Sequence, residues 1–250
     1  MFKDEMQTVG NAAQVKVSTL KEKTLSYFLL SMLAGAFVAF ACIVAFSISG
    51  LMAGITASKI VMGMAFGSAL SLVVMAGSEL FTGNNFVMTV GILQKKITWV
   101  DALKLWVICW LGNFAGSLLL ALLFMQTGLY SNATMEAMTT AALTKATLPI
   151  MPMITRGILC NILVCIGVWC SIKMKSESGK LIMIFWCLFV FFTAGFEHSV
   201  ANMTLFSIVG MDPNSAVPFI GMINNLIFVT LGNMIGGIVF VGLPYHIISK

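Results

Sequence analysis

Six long apolar runs dominate the chain, at roughly residues 27–50, 60–81, 102–126, 150–172, 181–206 and 216–246. Each is close to the about 20 residues that cross the hydrocarbon core of a bilayer as a helix. Lipid offers no partner for backbone N–H and C=O groups, so runs of this length fold as helices that satisfy their own backbone. Only 9% of the 250 residues are charged, against about 25% in a soluble domain. The pattern therefore predicts an all-α integral membrane protein. Residues 1–250 read as one membrane domain with short connections, embedded in a lipid bilayer.

Residues 1–26 carry Lys3, Asp4, Glu5, Lys16, Lys21, Glu22 and Lys23 before any long apolar run. A secretory signal would place its apolar segment sooner, so this stretch reads as a cytoplasmic N-terminal helix, over about 10–26. With the N-terminus inside, the segments 1–26, 94–104, 173–180 and the C-terminal residue hold eleven of the fourteen Lys and Arg, and the outer side keeps Lys59, Lys145 and Arg156. Basic residues favour the cytoplasmic side, which predicts both termini in the cytoplasm of a cell whose inner membrane the chain spans. The net charge of +5 is thereby absorbed by topology and carries no signal for nucleic acid. Six cysteines all fall within apolar runs, without CxxC or a histidine at ligand spacing; they read as buried thiols. No metal or cofactor site is expected, and nothing resembles a nucleotide site that would power transport.

The chain also repeats itself. AGSELFTGN at 76–84 matches AGFEHSVAN at 194–202, and LGNFAG at 111–116 matches LGNMIG at 231–236. The two offsets nearly agree, so residues 27–126 and 150–246 read as two three-span repeats. Three is odd, so the second copy crosses in the opposite sense. Inverted repeats of this kind typify channels and transporters, with the site near the membrane midplane.

Both copies place Gly, a carboxylate and Asn inside an apolar run, which predicts interrupted helices in spans 2 and 5, near Thr82 and Ser199. Gly83 and Gly195 permit unusual backbone there, and Ser78, Thr82, Asn84, Ser199 and Asn202 offer partners to freed backbone groups. The N-termini of the resulting half-helices favour an anion. Glu79 and Glu197 are read as caps of the broken helices, with a proton- or cation-carrying role as the alternative. Asn113 and Asn233, in the glycine-rich LGNxxG segments, either brace the breaks or line a path. His198 sits at the break of span 5. An ionisable group at mid-depth is a functional candidate, and histidine titrates near neutral pH. Lys145 stands alone in TTAALTKATLPIMP, read as a long outer loop, where it would draw anions into a vestibule.

In order along the chain, AGSELFTGN, GNFAGS, RGILCNILVC, GFEHSVANM and TLGNMIGG resemble the formate/nitrite transporter family, most closely its nitrite-channel and hydrosulfide-channel branches. The resemblance implies an aquaporin-like protomer, a homopentamer and one pore per subunit. By position it implies pore constrictions at Phe66, Leu70, Val164 and Phe191, with Leu80 and Phe81 toward the inner side. It implies a central His198 with Thr82 and Asn161 beside it, Asn233 near the pore and Lys145 in the vestibule. The expected activity is passage of a small monovalent anion, nitrite or hydrosulfide before formate, by a channel or a proton-coupled route and without enzymatic chemistry. The competing reading is a pore for small neutral solutes, but the paired Asn-Pro-Ala motifs of water and glycerol pores are absent.

Overall fold

The apolar runs become helix, apart from short breaks, in the computed structural model, which describes residues 1–250. Six helical segments are long and apolar enough to cross a membrane: Thr24–Leu51, Ser58–Met75, Trp99–Thr127, Ile150–Lys173, Glu177–Ala194 and Phe219–Ser249. There are no strands.

Ahead of them, α1 (Lys3–Glu22) starts earlier than the sequence suggests and buries Met6, Val9, Ala13, Val17 and Leu20, one stripe at helical spacing. Span 1 is α2 (Thr24–Leu51). Span 2 comes in pieces: α3 (Ser58–Phe66), α4 (Ser68–Met75), a non-helical stretch, then α5 (Phe81–Leu93). Span 3 is α6 (Trp99–Thr127), opened by a capping box in which Thr98 accepts from the Asp101 N–H and Asp101 accepts from the Thr98 N–H, and closed by left-handed Gly128. Reciprocal caps of this kind satisfy two of the orphan N–H groups of a first turn.

The segment read as an outer loop is helical. α7 (Asn132–Ala146) starts at Ser131, whose hydroxyl accepts from the Thr134 N–H. Its Ala/Thr-rich sequence has no apolar stripe; tertiary packing of Thr134, Met138, Ala142 and Ala146 holds it down. Pro149 then precedes α8 (Ile150–Lys173), span 4. Span 5 is α9 (Glu177–Ala194) and α10 (Ser199–Gly210), with Gly195 at φ +84° between them. Span 6 is α11 (Phe219–Gly237), a π-helical segment Ile238–Gly242, and α12 (Leu243–Ser249).

The interruptions fall at 76–80 and 195–198, one beside each predicted break. The glycine assignment needs one correction. In the first copy the left-handed residue is Gly77, φ +73°, whereas Gly83 lies in the first turn of α5. Gly77 and Gly195 are the aligned Gly of the two Ala-Gly pairs.

Small residues bring the spans together, since apolar side chains gain little by leaving lipid. A Cβ on Gly116 would run into the backbone of Met32 in α2, and one on Gly236 into that of Ile158 in α8. Each LGNxxG segment thus presses the third span of its half onto the first.

Candidate functional site

The two half-helices α5 and α10 start at the middle of the molecule and meet there. Thr82 Oγ1 lies 3.0 Å from His198 Nε2. His198 is also the N-cap of α10: its Nδ1 accepts the Ala201 N–H at 3.2 Å. With Nδ1 occupied as an acceptor, a neutral ring carries its proton on Nε2 and donates it to Thr82. The Thr82 hydroxyl proton is then free to turn elsewhere. Phe191 stacks on the imidazole, with centroids 5.8 Å apart, and Phe66 packs edge-on against Phe191 at 5.7 Å.

Two braces hold these N-termini in place. Asn113 Oδ1 accepts the Phe81 N–H at 2.9 Å, and its Nδ2 donates to Ser31 O and Glu79 O. Asn233 repeats the pattern: Oδ1 accepts the Ser199 N–H at 2.9 Å, and Nδ2 donates to Gly157 O and Glu197 O. Both side chains are fully buried. Of the two sequence readings for these amides, bracing is the one their bonding fits. Asn161 also works on backbone. Its Nδ2 donates to Thr82 O and Asn233 O, alongside a Cys165 Sγ contact to Thr82 O, and it makes no bond to the imidazole.

The glutamates do not cap helices. Both Glu79 oxygens take Lys16 Nζ, at 2.5 and 2.6 Å, and Asn84 Nδ2 and the Tyr27 hydroxyl donate to Oε2. Both Glu197 oxygens take Lys145 Nζ at 2.8 Å, and Asn202 Nδ2 donates to Oε2 at 2.7 Å. The capping role falls instead to Asn113, Asn233 and His198. A carboxylate this buried needs a charged partner, and each Glu has a Lys from a helix outside the spans, α1 or α7. Lys16 and Tyr27 are the residues that sequence reasoning missed. The available signal was that a basic residue precedes the first span of each repeat. Of the other break residues, Ser78 donates to Val73 O, while the Ser199 hydroxyl is buried without a partner.

Two cavities flank the centre. The larger, about 630 Å³, opens on the face that carries α7 and is lined by Lys145, Glu197, His198, Phe191, Lys59 and Arg156 among others. The smaller, about 260 Å³, lies toward α1 and includes Lys16, Glu79, Leu70, Leu80, Gly83 and Val168. Phe66 and Val164 are buried, at 1% and 2% exposure, and line neither. Phe81 faces elsewhere than expected: it lines a groove on the outside of the bundle with Trp106, Trp110 and Leu231. The half-helix turns the two neighbours apart, so Leu80 and Phe81 do not share a constriction.

Known proteins share this architecture. Residues 4–247 match the family described as formate/nitrite transporter. The chain is 38% identical over 251 residues to the nitrite transporter NirC of Salmonella typhimurium, covering 98% of this chain and 91% of that protein. It superposes on a solved FNT family ion channel with a TM-score of 0.94 at 35% identity, over the whole of both chains. A pentameric formate channel with formate bound matches with a TM-score of 0.79 at 29% identity, covering 91% of this chain and 98% of that one.

Proposed function

The chain belongs to the formate/nitrite transporter family, and we propose that it carries a small monovalent anion, with nitrite favoured and hydrosulfide and formate as further candidates, through a pore centred on His198 and Thr82. The observation that carries this reading is the meeting of two half-helix N-termini at the Thr82–His198 contact, with a cavity on either side. Each N-terminus holds roughly half a positive charge. The Thr82 hydroxyl, held by the imidazole N–H that it accepts, adds an O–H donor.

A bare anion in hydrocarbon costs far more than thermal energy. Phe66, Leu70, Val164 and Phe191 form the dry stretch that strips its water, with Leu80 on the α1 side. The donors and dipoles at the centre replace that water without a fixed counter-charge that would trap the ion. Asn161 and Asn233 act one step back, by fixing the backbone of Thr82 and Ser199. The protomers assemble as a homopentamer in the inner membrane, with α1 and both termini in the cytoplasm; the lysine asymmetry of the two faces supports that orientation.

Initial uptake of nitrite, formate, hydrosulfide and glycerol into proteoliposomes, from about pH 5 to 8, tests the reading. Uptake of at least one of the three anions well above protein-free vesicles is expected. Asparagine at 198 keeps the N-cap but neither titrates nor stacks as imidazole does. His198→Asn removes the imidazole N–H that aims the Thr82 hydroxyl and is expected to slow anion uptake about ten- to a hundredfold, the worth of the one hydrogen bond to a charged group that Thr82 would then misdirect. Glycerol uptake with no anion uptake would overturn the reading in favour of a neutral-solute pore. A His198→Asn variant with wild-type rate and pH response would remove His198 from the mechanism.

A further inference from the structure

The α7-side cavity is lined by all three cations of its face, Lys59, Lys145 and Arg156. They are not equivalent. Lys145 is bound to both oxygens of Glu197, so the pair presents almost no net charge to an approaching ion. Lys59 and Arg156 form no ion pair; the four in the molecule are Lys16–Glu79, Lys21–Asp101, Lys145–Glu197 and Lys180–Glu177. Both stand beside the interrupted stretch 195–198. Arg156 O accepts the Glu197 N–H at 3.2 Å. Lys59 Nζ lies 3.2 Å from where a Cβ on Gly195 would sit. One further unpaired carboxylate lines the cavity, Glu136, nine residues before Lys145 and thus about 13 Å away along α7. The α1-side cavity holds only the Lys16–Glu79 pair.

We infer that Lys59 and Arg156, rather than Lys145, are the residues that gather the anion on the α7 face and set the charge selectivity of that mouth. The inference rests on the anion-pore reading above and specifies which side chains supply its capture step. Unpaired charges act on a passing ion at long range, whereas a closed ion pair acts only as a weak dipole. One unit charge about 8 Å from a monovalent anion in water raises its local concentration roughly twofold, and low-dielectric walls focus that field further. Lys145 keeps a different task, neutralising Glu197.

The test is initial nitrite uptake through the α7 face, in vesicles of a single protein orientation, for wild type, Lys59→Gln, Arg156→Gln, the double variant, Arg156→Lys and Glu136→Gln. At about 10 mM salt, where the Debye length is about 30 Å, each single Gln variant should be about two- to threefold slower and the double variant about fivefold slower. Glu136→Gln should be faster, and Arg156→Lys close to wild type. At about 1 M salt, where that length is about 3 Å, the differences should vanish. Gln variants that match wild type at low salt overturn the assignment. So does a deficit that persists at 1 M, which marks damage to the fold rather than loss of field. Wild-type vesicles that carry no nitrite at either salt, while formate and hydrosulfide also fail, would instead refute the pore reading itself.

Discussion

Replacing Asn233 by Leu removes three hydrogen bonds without opening a cavity, because the side chains are close in size. The losses are unequal. Gly157 O lies within α8 and sits in an ordinary helical position, so it keeps a backbone partner. The Ser199 N–H and Glu197 O have no partner other than Asn233. Each orphaned buried group costs about 1–3 kcal/mol, giving about 2–6 kcal/mol. The lower figure agrees with the roughly 0.6 kcal/mol per bond averaged over membrane-protein side-chain bonds, taken three times. In a chain of this length 1 kcal/mol moves the midpoint by about 2–4 °C. The thermal midpoint of Asn233→Leu in mild detergent should therefore fall by at least about 4 °C. Thr230→Val, one turn away on the same helix, loses only the Trp110 Nε1 bond at a half-buried site and serves as the control, with a shift of about 1–3 °C. If Asn233→Leu melts with the control, or above it, the brace is not holding the N-terminus of α10.

The buried ion pair gives a second expectation. Lys145→Gln leaves the Glu197 carboxylate, 2% exposed, without its counter-charge. The cost should be about 3 kcal/mol, and adding Glu197→Gln should recover more than half of it; chemical or thermal unfolding of the single and double variants decides. A third expectation separates two glycines of the same motif. Gly77→Ala forces a side chain into φ +73° and should destabilise by about 1 kcal/mol. Gly83→Ala only nudges Val168 at 3.1 Å while gaining helix propensity, so it should be near neutral by the same melting assay. Equal effects at the two positions would contradict the backbone assignment.

The spans and their breaks were legible because both are written in local composition. Apolar length marks a span, and a cluster such as AGSELFTGN marks its interruption. The repeat was legible because two motifs kept nearly the same offset. What stayed hidden depends on distance or on geometry finer than composition. Glu79 and its lysine are 63 residues apart, and Glu197 and its lysine 52; no local pattern joins them. α7 was hidden because Ala and Thr carry no apolar period, and its helix is imposed by what it packs on. The choice between Gly77 and Gly83, and the divergence of Leu80 from Phe81, turn on the dihedrals of a short non-helical stretch. The π-helical segment of span 6 also had no sequence warning: Gly237 lies where Asn85, Asn161 and Cys165 converge, a crowding visible only in three dimensions.

The paired lysines also bear on how the chain can be cut. Because α7 supplies to Glu197 what α1 supplies to Glu79, the duplicated unit is a surface helix followed by three spans, not the three spans alone. The seam between the copies is then the turn Gly128–Ser131, between α6 and α7. The chain carries eleven of its fourteen cations on one face, a distribution that favours a single orientation. The ends of the molecule lie close together, with the Phe2 and Tyr245 rings 6.4 Å apart. A circular permutant that joins Lys250 to Met1 and opens at Gly128–Ser131 should therefore keep every contact of the pore while starting and finishing on the opposite side of the membrane.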